Sequence, residues 1–370
     1  MKSYFFSKRL SDLRDRLTDK SPDTLWIIQP ENRRYLSGFK AGDPQLNESS
    51  GSLLISKKKA LLITDSRYTI EADREAGNFE VITLKKDLIK EFPRFLRRLK
   101  TKVLGFEEDH LTWRLHQRLA KRFKGLSPSV RLTPLKRLVD SMREIKDQSE
   151  IKAMEASSKM MSEVLREIIA GLNDGRTEIE IAREVERLAY EAGADGMAFP
   201  PIVASGPNGA LPHAVPTNRK IRPKEPIILD VGIQLEGYCC DMTRTIFLGS
   251  PGPKWKEIYK VVRKAQLSAL EYVRPGTEST KPDSVARRII KEAGFGDYFG
   301  HSLGHGVGLA THEAPRLGPK DPVILRAGMV VTVEPGIYIT GKGGIRLEEM
   351  VVIEKDGPRI LTENTDFYEF

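Results

Sequence analysis

Cysteine is scarce in this chain. The only two, Cys239 and Cys240, are neighbours in sequence, where disulfide geometry is strained, so a stapled extracellular scaffold is disfavoured and a reducing cytoplasm is expected. Long hydrophobic runs are missing as well. No stretch approaches the roughly eighteen apolar residues of a membrane-spanning helix, so no membrane partner is expected. The opening MKSYFFSKRLSDLRDRL carries charges every few positions, unlike the apolar segment of a secretory signal. Neither a repeat of solenoid period nor a low-complexity tract is present. What remains is a globular protein, and 370 residues with 39% apolar content can supply two ordinary cores.

Acidic residues are thin in one region. Between Lys85 and Arg137 there are 16 Lys/Arg against 5 Asp/Glu, an excess that accounts for the whole-chain charge of +9. The segments KEFPRFLRRLKTK and LHQRLAKRFKG read as amphipathic helices with their basic residues toward solvent. Such a face can also meet an acidic partner. No aromatic interleaving or nucleic-acid motif accompanies it, however, so no nucleic-acid partner is expected.

Apolar, β-rich runs at 25–29, 53–55, 60–64, 79–83 and 102–106 alternate with helical patterns near 68–76, 88–99 and 111–123. This predicts an α/β domain over residues 1–142. A new start follows at Asp147-Gln-Ser-Glu150, a capping pattern that opens a helix reaching about residue 170. A second capping box, Thr177-Glu-Ile-Glu180, opens another helix that Gly193 can end. Strand-like segments then dominate, at 227–233, 238–245, 329–337 and 346–353, interrupted by helices near 255–272 and 282–293. Residues 143–370 are therefore expected to form an α+β domain.

The chemistry concentrates in this second part. In ILDVGIQLEGYCCDMTRTIFLG two β-rich arms flank Glu236-Gly237. Paired as a hairpin, they are expected to set Asp230 directly opposite Asp241, with Cβ atoms about 4.5–5.5 Å apart on one face. Two carboxylates at that range repel unless a proton or cation stands between them, and a metal is the economical explanation. The competing reading has one Asp capping a turn and the other pairing with Arg244.

Downstream, HSLGHGVGLATHEAP gathers His301, His305 and His312, while His213 sits in LPHAVPT. Four histidines in one domain beside paired carboxylates favour a metal or acid–base site over isolated structural histidines. The glycines of GHGVG let backbone approach a ligand but do not match the dinucleotide fingerprint. Glu334 ends the apolar run MVVTVEPG, where an unpaired buried charge is costly, and Glu348 lies in GGIRLEEMVVI. Glu349 alternates to the other face and is read as structural. For Glu334 and Glu348 the competing explanation is an ion pair with Arg346.

Four carboxylates and one imidazole form a hard, oxygen-rich donor set. It suits Mn²⁺, with Co²⁺, Fe²⁺ or Zn²⁺ as alternatives, and four acids balance two divalent ions. A metal pair about 3.5–4 Å apart activates water and polarises a carbonyl at once, which is hydrolase chemistry.

These residues, in this order, resemble the pita-bread metallopeptidases of the prolidase and aminopeptidase P group. ENRRYLSGF, ESSGSLLI and ALLITDSRY look like a creatinase-type N-terminal domain, so the resemblance covers essentially the whole chain. The Asp-x10-Asp pair, the GHGVG histidine, the VEPG glutamate and the GIRLE glutamate all occur in family order. The resemblance implies a homodimeric exopeptidase that cuts the bond before proline in peptides or dipeptides, as an Xaa-Pro aminopeptidase or Xaa-Pro dipeptidase. By it, Asp230 would chelate one ion, Asp241 and Glu348 would bridge both, and His305 with Glu334 would bind the other. Glu334 would also take a proton from the attacking water. His213, His301 and His312 resemble outer histidines that bind substrate, steady the tetrahedral intermediate and move protons. Arg346 resembles the arginine that orients Glu348.

The 14-residue step from Glu334 to Glu348 is the short one usual for proline-directed members; methionine aminopeptidases usually carry a longer insertion. Lys224-Glu225-Pro226 replaces the Gly-Asp that commonly precedes the first ligand strand, which affects a turn and leaves the ligands alone. Arg316, in HEAPRLG, is a candidate to grip a dipeptide's carboxylate by a bidentate contact. The alternatives are a methionine aminopeptidase and a pita-bread module that binds peptide without cutting it.

Overall fold

The apolar runs of the first part of the chain pair into one mixed six-stranded sheet. It is the centre of the unit Met1–Met142; a second unit comprises Arg143–Phe370. The computed structural model describes residues 2–368 apart from 19, 44, 46, 47 and 363–366.

In the first unit, helix α1 (Lys2–Asp15) leads through β1 (Thr24–Ile27) and α2 (Pro30–Ser37) to the hairpin β2 (Ser52–Ser56) and β3 (Ala60–Thr64). Then come α3 (Thr69–Glu75), β4 (Glu80–Thr83), α4 (Leu88–Leu99), β5 (Val103–Glu107), α5 (Trp113–Lys124), β6 (Arg131–Leu135) and the short α6 (Asp140–Arg143). The sheet order is β4-β3-β2-β1-β5-β6, with antiparallel pairs inside β1 to β3 and parallel pairs outside them. Strands β1, β2 and β3 are buried along their whole length, which is why they read as unbroken apolar runs.

Helix α4 turns Phe92, Phe95, Leu96 and Leu99 inward and leaves Lys90, Arg94, Arg97 and Arg98 exposed. Helix α5 likewise buries Leu119 and Phe123 beneath five exposed basic residues. The Phe92 ring meets Trp26 at 4.9 Å and Phe123 at 5.5 Å. Each such buried side chain contributes about 1.5–3 kcal/mol. Sequence periodicity did not reveal α1, α2 or β6. The last is an edge strand containing Pro134, a residue that sheets accept at edges and that weakens a strand pattern.

The second unit begins with α7 (Gln148–Ala170) and α8 (Glu178–Glu191), each opened by a complete capping box at Asp147 and Thr177. Strands β7 (Gly196–Met197), β8 (Ile202–Ser205), β9 (Pro226–Val231), β10 (Ile233–Leu235), β11 (Tyr238–Cys239) and β12 (Met242–Phe247) follow. They form two three-stranded sheets, β12-β9-β8 and β11-β10-β7. After helices α9 (Pro253–Leu270) and α10 (Thr280–Glu292) come β13 (Gly304–Gly306), β14 (Glu313–Leu317), β15 (Val330–Val333), β16 (Gly336–Ile339), β17 (Gly343–Arg346), β18 (Glu349–Glu354) and β19 (Gly357–Ile360). A five-stranded sheet, β14-β13-β15-β18-β19, packs its Val331, Val333 and Val351 with Ile258 and Val262 of α9 and Ile290 of α10.

All four runs expected as continuous strands in this unit are broken: 227–233 divides at Gly232 and 238–245 at Cys240-Asp241. Residues 329–337 divide at Glu334-Pro335, and 346–353 divide at Leu347-Glu348. Pro335 has no N–H for a ladder. The Glu348 N–H leaves its own sheet and donates to the Thr243 carbonyl at 3.1 Å.

Candidate metal centre

The first two carboxylates come from the β9–β12 arms. Glu236 and Gly237 adopt φ of 51° and 87°, the left-handed pair of a two-residue hairpin turn, so Leu235 pairs with Tyr238. That register sets Asp230 opposite Thr243. The direct Asp230–Asp241 pairing expected from sequence is thereby corrected: the turn closes over residues 236–237, one position later than that pairing requires. The resulting slip is two residues, the period of side-chain alternation, so both carboxylates remain on one face as diagonal neighbours. Gly232 permits the break between β9 and β10, since a Cβ there would lie 2.2 Å from the Cys240 carbonyl oxygen.

The other three donors also stand at interruptions of strands. Glu334 follows β15 and Glu348 precedes β18, while His305 sits in β13 where the ladder to β14 jumps register between His305 and Gly306. A ladder break frees a side chain from strict alternation and lets it turn toward a common point. His213, Asp230, Asp241, His301, His305, His312, Arg316, Glu334, Arg346 and Glu348 all line one open cavity of about 690 Å³.

Within it, ligand atoms of Asp241, His305 and Glu348 lie within 4.8 Å of one another. His305 Nε2 is 3.6 Å from Asp241 Oδ2 and 3.4 Å from Glu334 Oε1. Its Nδ1 faces the Gly306 carbonyl at 3.1 Å, so Nδ1 carries the proton and the Nε2 lone pair points at the acids. Burial lowers the His305 imidazole to about 4, keeping it neutral at pH 7. The carboxyls move the other way. Burial, then the charges of Glu348, Asp230 and Glu334, raises Asp241 well above the carboxylate range; burial pushes Glu334 up to about 8 and Glu348 well upward. Asp230 Oδ1 and Glu348 Oε1 are buried without a hydrogen-bond donor among the described residues. Orphaned acid oxygens facing a lone pair fit divalent cations, and four carboxylates with one imidazole are the donor chemistry that hard cations take.

Around this cluster, Arg346 donates to Asp230 Oδ2, Tyr338 Oη, the Pro212 carbonyl and Thr243 Oγ1. The expected partner of Arg346 was Glu348. Among the described residues its hydrogen bonds reach Glu348 through Thr243, whose Oγ1 donates to Glu348 Oε2 at 2.8 Å. Because Tyr338 Oη accepts from Arg346, its own proton goes to His301 Nε2 at 2.9 Å, and His301 Nδ1 donates to the Ser302 carbonyl. Both ring nitrogens of His301 are therefore engaged by protein, and burial lowers its imidazole to about 4. Arg316 stands directly opposite His305 across the β13–β14 pair, exposed to the cavity. Glu349, on the other face, takes Arg244 Nη2 at 3.2 Å.

Thr243, Thr332 and Tyr338 escaped the reading of the sequence. Thr243 follows Asp241 by two residues, and strand alternation would have placed it on the same face. Thr332 accepts from the His305 N–H and donates to Glu334 Oε1, a junction visible only in the fold. Tyr338 carries no local signal.

The sequence pattern of metallopeptidase family M24 matches residues 152–355, and that of the creatinase/prolidase N-terminal domain matches residues 9–145. The chain belongs to metallopeptidase family M24. Like other M24 metallopeptidases it is built for divalent metal ions, which its acid-and-imidazole cluster fits. It is 36% identical over 358 residues to the Xaa-Pro dipeptidase of Pyrococcus furiosus, covering 96% of this chain and 98% of that one. The structure of an Xaa-Pro dipeptidase from Bacillus anthracis superposes with a TM-score of 0.91 at 35% identity, covering 98% and 99% of the two chains. That of an X-Pro aminopeptidase from Thermotoga maritima does so with a TM-score of 0.85 at 36% identity, covering 95% and 98%. The pairing of a creatinase-type N-terminal domain with a pita-bread catalytic domain is thus the architecture of this metallopeptidase.

Proposed function

We propose that this M24 metallopeptidase is an Xaa-Pro exopeptidase that hydrolyses the peptide bond preceding proline, with Asp230, Asp241, His305, Glu334 and Glu348 holding two divalent cations. The observation that carries the reading is the convergence of these five donors, two with orphaned buried oxygens, in the cavity of a chain aligned end to end with proline-directed peptidases. Asp230, Asp241, His305, Glu334 and Glu348 would hold the ions through their carboxylate oxygens and the His305 Nε2. When bound, the cations supply Lewis acidity that acidifies water and polarises a carbonyl; Mn²⁺ suits the donor set best.

The chain's own groups do the rest. Glu334 accepts a proton from the attacking water at a carboxylate oxygen. His213 and His312 line the cavity with no hydrogen bond from the described residues, so they are free to meet the substrate carbonyl and to move the proton toward the leaving proline nitrogen. Arg346 fixes Asp230 and the Pro212 carbonyl, which orders the loop carrying His213. Phe199, Ile202 and Val215 add an apolar wall suited to a pyrrolidine ring, which brings no N–H to satisfy.

Substrate length turns on Arg316. Its exposed guanidinium can hold the terminal carboxylate of a dipeptide, a contact that a longer peptide gives up. Proline-containing peptides or dipeptides are the partners. Cytoplasmic placement is supported by the buried free thiols Cys239 and Cys240, and a homodimer by family resemblance.

Hydrolysis of Ala-Pro and Ala-Pro-Ala by Mn²⁺-loaded protein tests the reading. Cleavage of either, abolished by a chelator, supports it, and their ratio sets the length preference. Release of Met from Met-Ala peptides with both Ala-Pro and Ala-Pro-Ala untouched would replace it by methionine aminopeptidase activity.

A further inference from the structure

Glu313 lines the cavity but belongs to neither the cation cluster nor the substrate histidines. It is one of three charged side chains sealed together. Glu313, Arg143 and Lys146 are 7%, 4% and 1% exposed, with Arg143 Nη2 against Oε1 and Lys146 Nζ 3.2 Å from Oε2. Burial alone would raise the Glu313 carboxyl, yet Lys146 and then Arg143 hold it below the ordinary carboxylate range. Two cations on one carboxylate in a dry place demand a structural return, because each charge costs desolvation on burial.

The third bond to this carboxylate shows where its effect goes. The Ala310 N–H donates to Oε1 at 3.0 Å, and Gly308 lies so close that a Cβ there would be 2.6 Å from Oε2. Residues 307–312 therefore curl around the Glu313 head group. The loop ends in His312, whose ring packs edge-on against His305 with centroids 4.3 Å apart. Lys146 is itself anchored: its N–H donates to the Gly328 carbonyl at 2.8 Å, and the Gly328 N–H donates to the Ile353 carbonyl of β18 at 2.8 Å. A rigid path thus runs from β18 through Lys146 and Glu313 to the loop bearing His312.

We propose that Glu313, clamped by Arg143 and Lys146, is a positioning residue that sets the 307–312 loop and thereby the placement of the His312 ring over the reaction cavity. The proposal rests on the Xaa-Pro reading only for its kinetic arm. Glu313→Gln keeps the side chain's shape and removes its charge; Lys146→Met leaves the Arg143 contact in place and serves if the first variant folds poorly. In cation-free, full-length protein the His312 ring resonance, assigned by its loss in His312→Ala, is expected to shift or broaden in both variants. The kcat/KM on Ala-Pro should fall about ten- to hundredfold in each, the scale of a small misplacement of a catalytic group. Added to His312→Ala, either change should cost no more than about twofold further, since both act through one ring. An unmoved His312 resonance, or losses that multiply in the double variants, overturns the proposal. Should wild-type protein leave both Ala-Pro and Ala-Pro-Ala intact, the Xaa-Pro reading fails while the resonance comparison still decides the role of Glu313.

Discussion

Arg346 Nη2 lies 2.5 Å from Asp230 Oδ2, while Oδ1 of the same carboxylate is buried with no donor among the described residues. One oxygen is thus committed to orientation and the other is left for a cation. Arg346→Ala should lower Mn²⁺ affinity and kcat/KM by about 10- to 100-fold, the usual cost of losing a group that orients a ligand. Arg346→Lys should not restore them, because one ammonium cannot serve four acceptors in fork geometry. Calorimetric Mn²⁺ titration alongside Ala-Pro kinetics measures both effects.

Asp241→Asn removes one charge from a cluster of mutually repelling acids. Without cations this variant should melt higher than wild type, since burial and its acidic neighbours disfavour the Asp241 charge. With Mn²⁺ the order should reverse and activity should fall by orders of magnitude. Thermal melts with and without Mn²⁺ check the crossing; a variant that still gains stability from Mn²⁺ as wild type does would sink the ligand assignment.

The pH dependence of stability has a definite sign. Glu334, raised from 4.5 to about 8 in the fold, binds a proton more tightly folded than unfolded, so its contribution is present at low pH and lost as pH rises toward 8. His301 and His305, lowered from 6.5 to about 4, act oppositely, and their contribution is complete above 6.5. Between 6.5 and 8 only the acid effect of these three groups remains, so cation-free protein should lose stability across that window. Saturating Mn²⁺ should abolish the loss, because bound cations favour the ionised acids. Denaturant midpoints at several pH values provide the measurement.

Gly232→Ala probes the hairpin break. The added Cβ meets a backbone carbonyl that no rotamer can move, so destabilisation should reach about 1–3 kcal/mol or more, with weaker Mn²⁺ binding as Asp230 and Asp241 shift apart. Urea unfolding and cation titration of the same sample would show both. Unchanged binding in a destabilised variant would separate the break from the site.

The candidate residues stand out in the sequence because they announce themselves chemically. Carboxylates inside apolar runs, such as Glu334, and histidines crowded into one segment, such as His301 to His312, are costly unless they share a purpose. Partners that are ordinary residues were not legible. Tyr338 and Thr332 matter through a single oxygen each, placed by strands that local pattern does not relate. Helix α2 was missed for a similar reason: its buried face includes Asn32 and Arg33, polar residues that donate to Glu107 and to Asp43 and Ser50 respectively, so it shows no apolar stripe.

The amino-acid order alone pointed to the main helices and apolar strand runs, both capping boxes and the five side chains proposed to hold cations, since these follow from period, spacing and the cost of buried charge. Tertiary structure decided the register that makes Asp230 and Asp241 diagonal neighbours, the strand breaks that aim Glu334 and Glu348, and the partner taken by Arg346. Those depend on turn geometry and on contacts between segments as far apart as Asp230 and Arg346. A hydrogen bond at that separation exists only once the chain has closed around it.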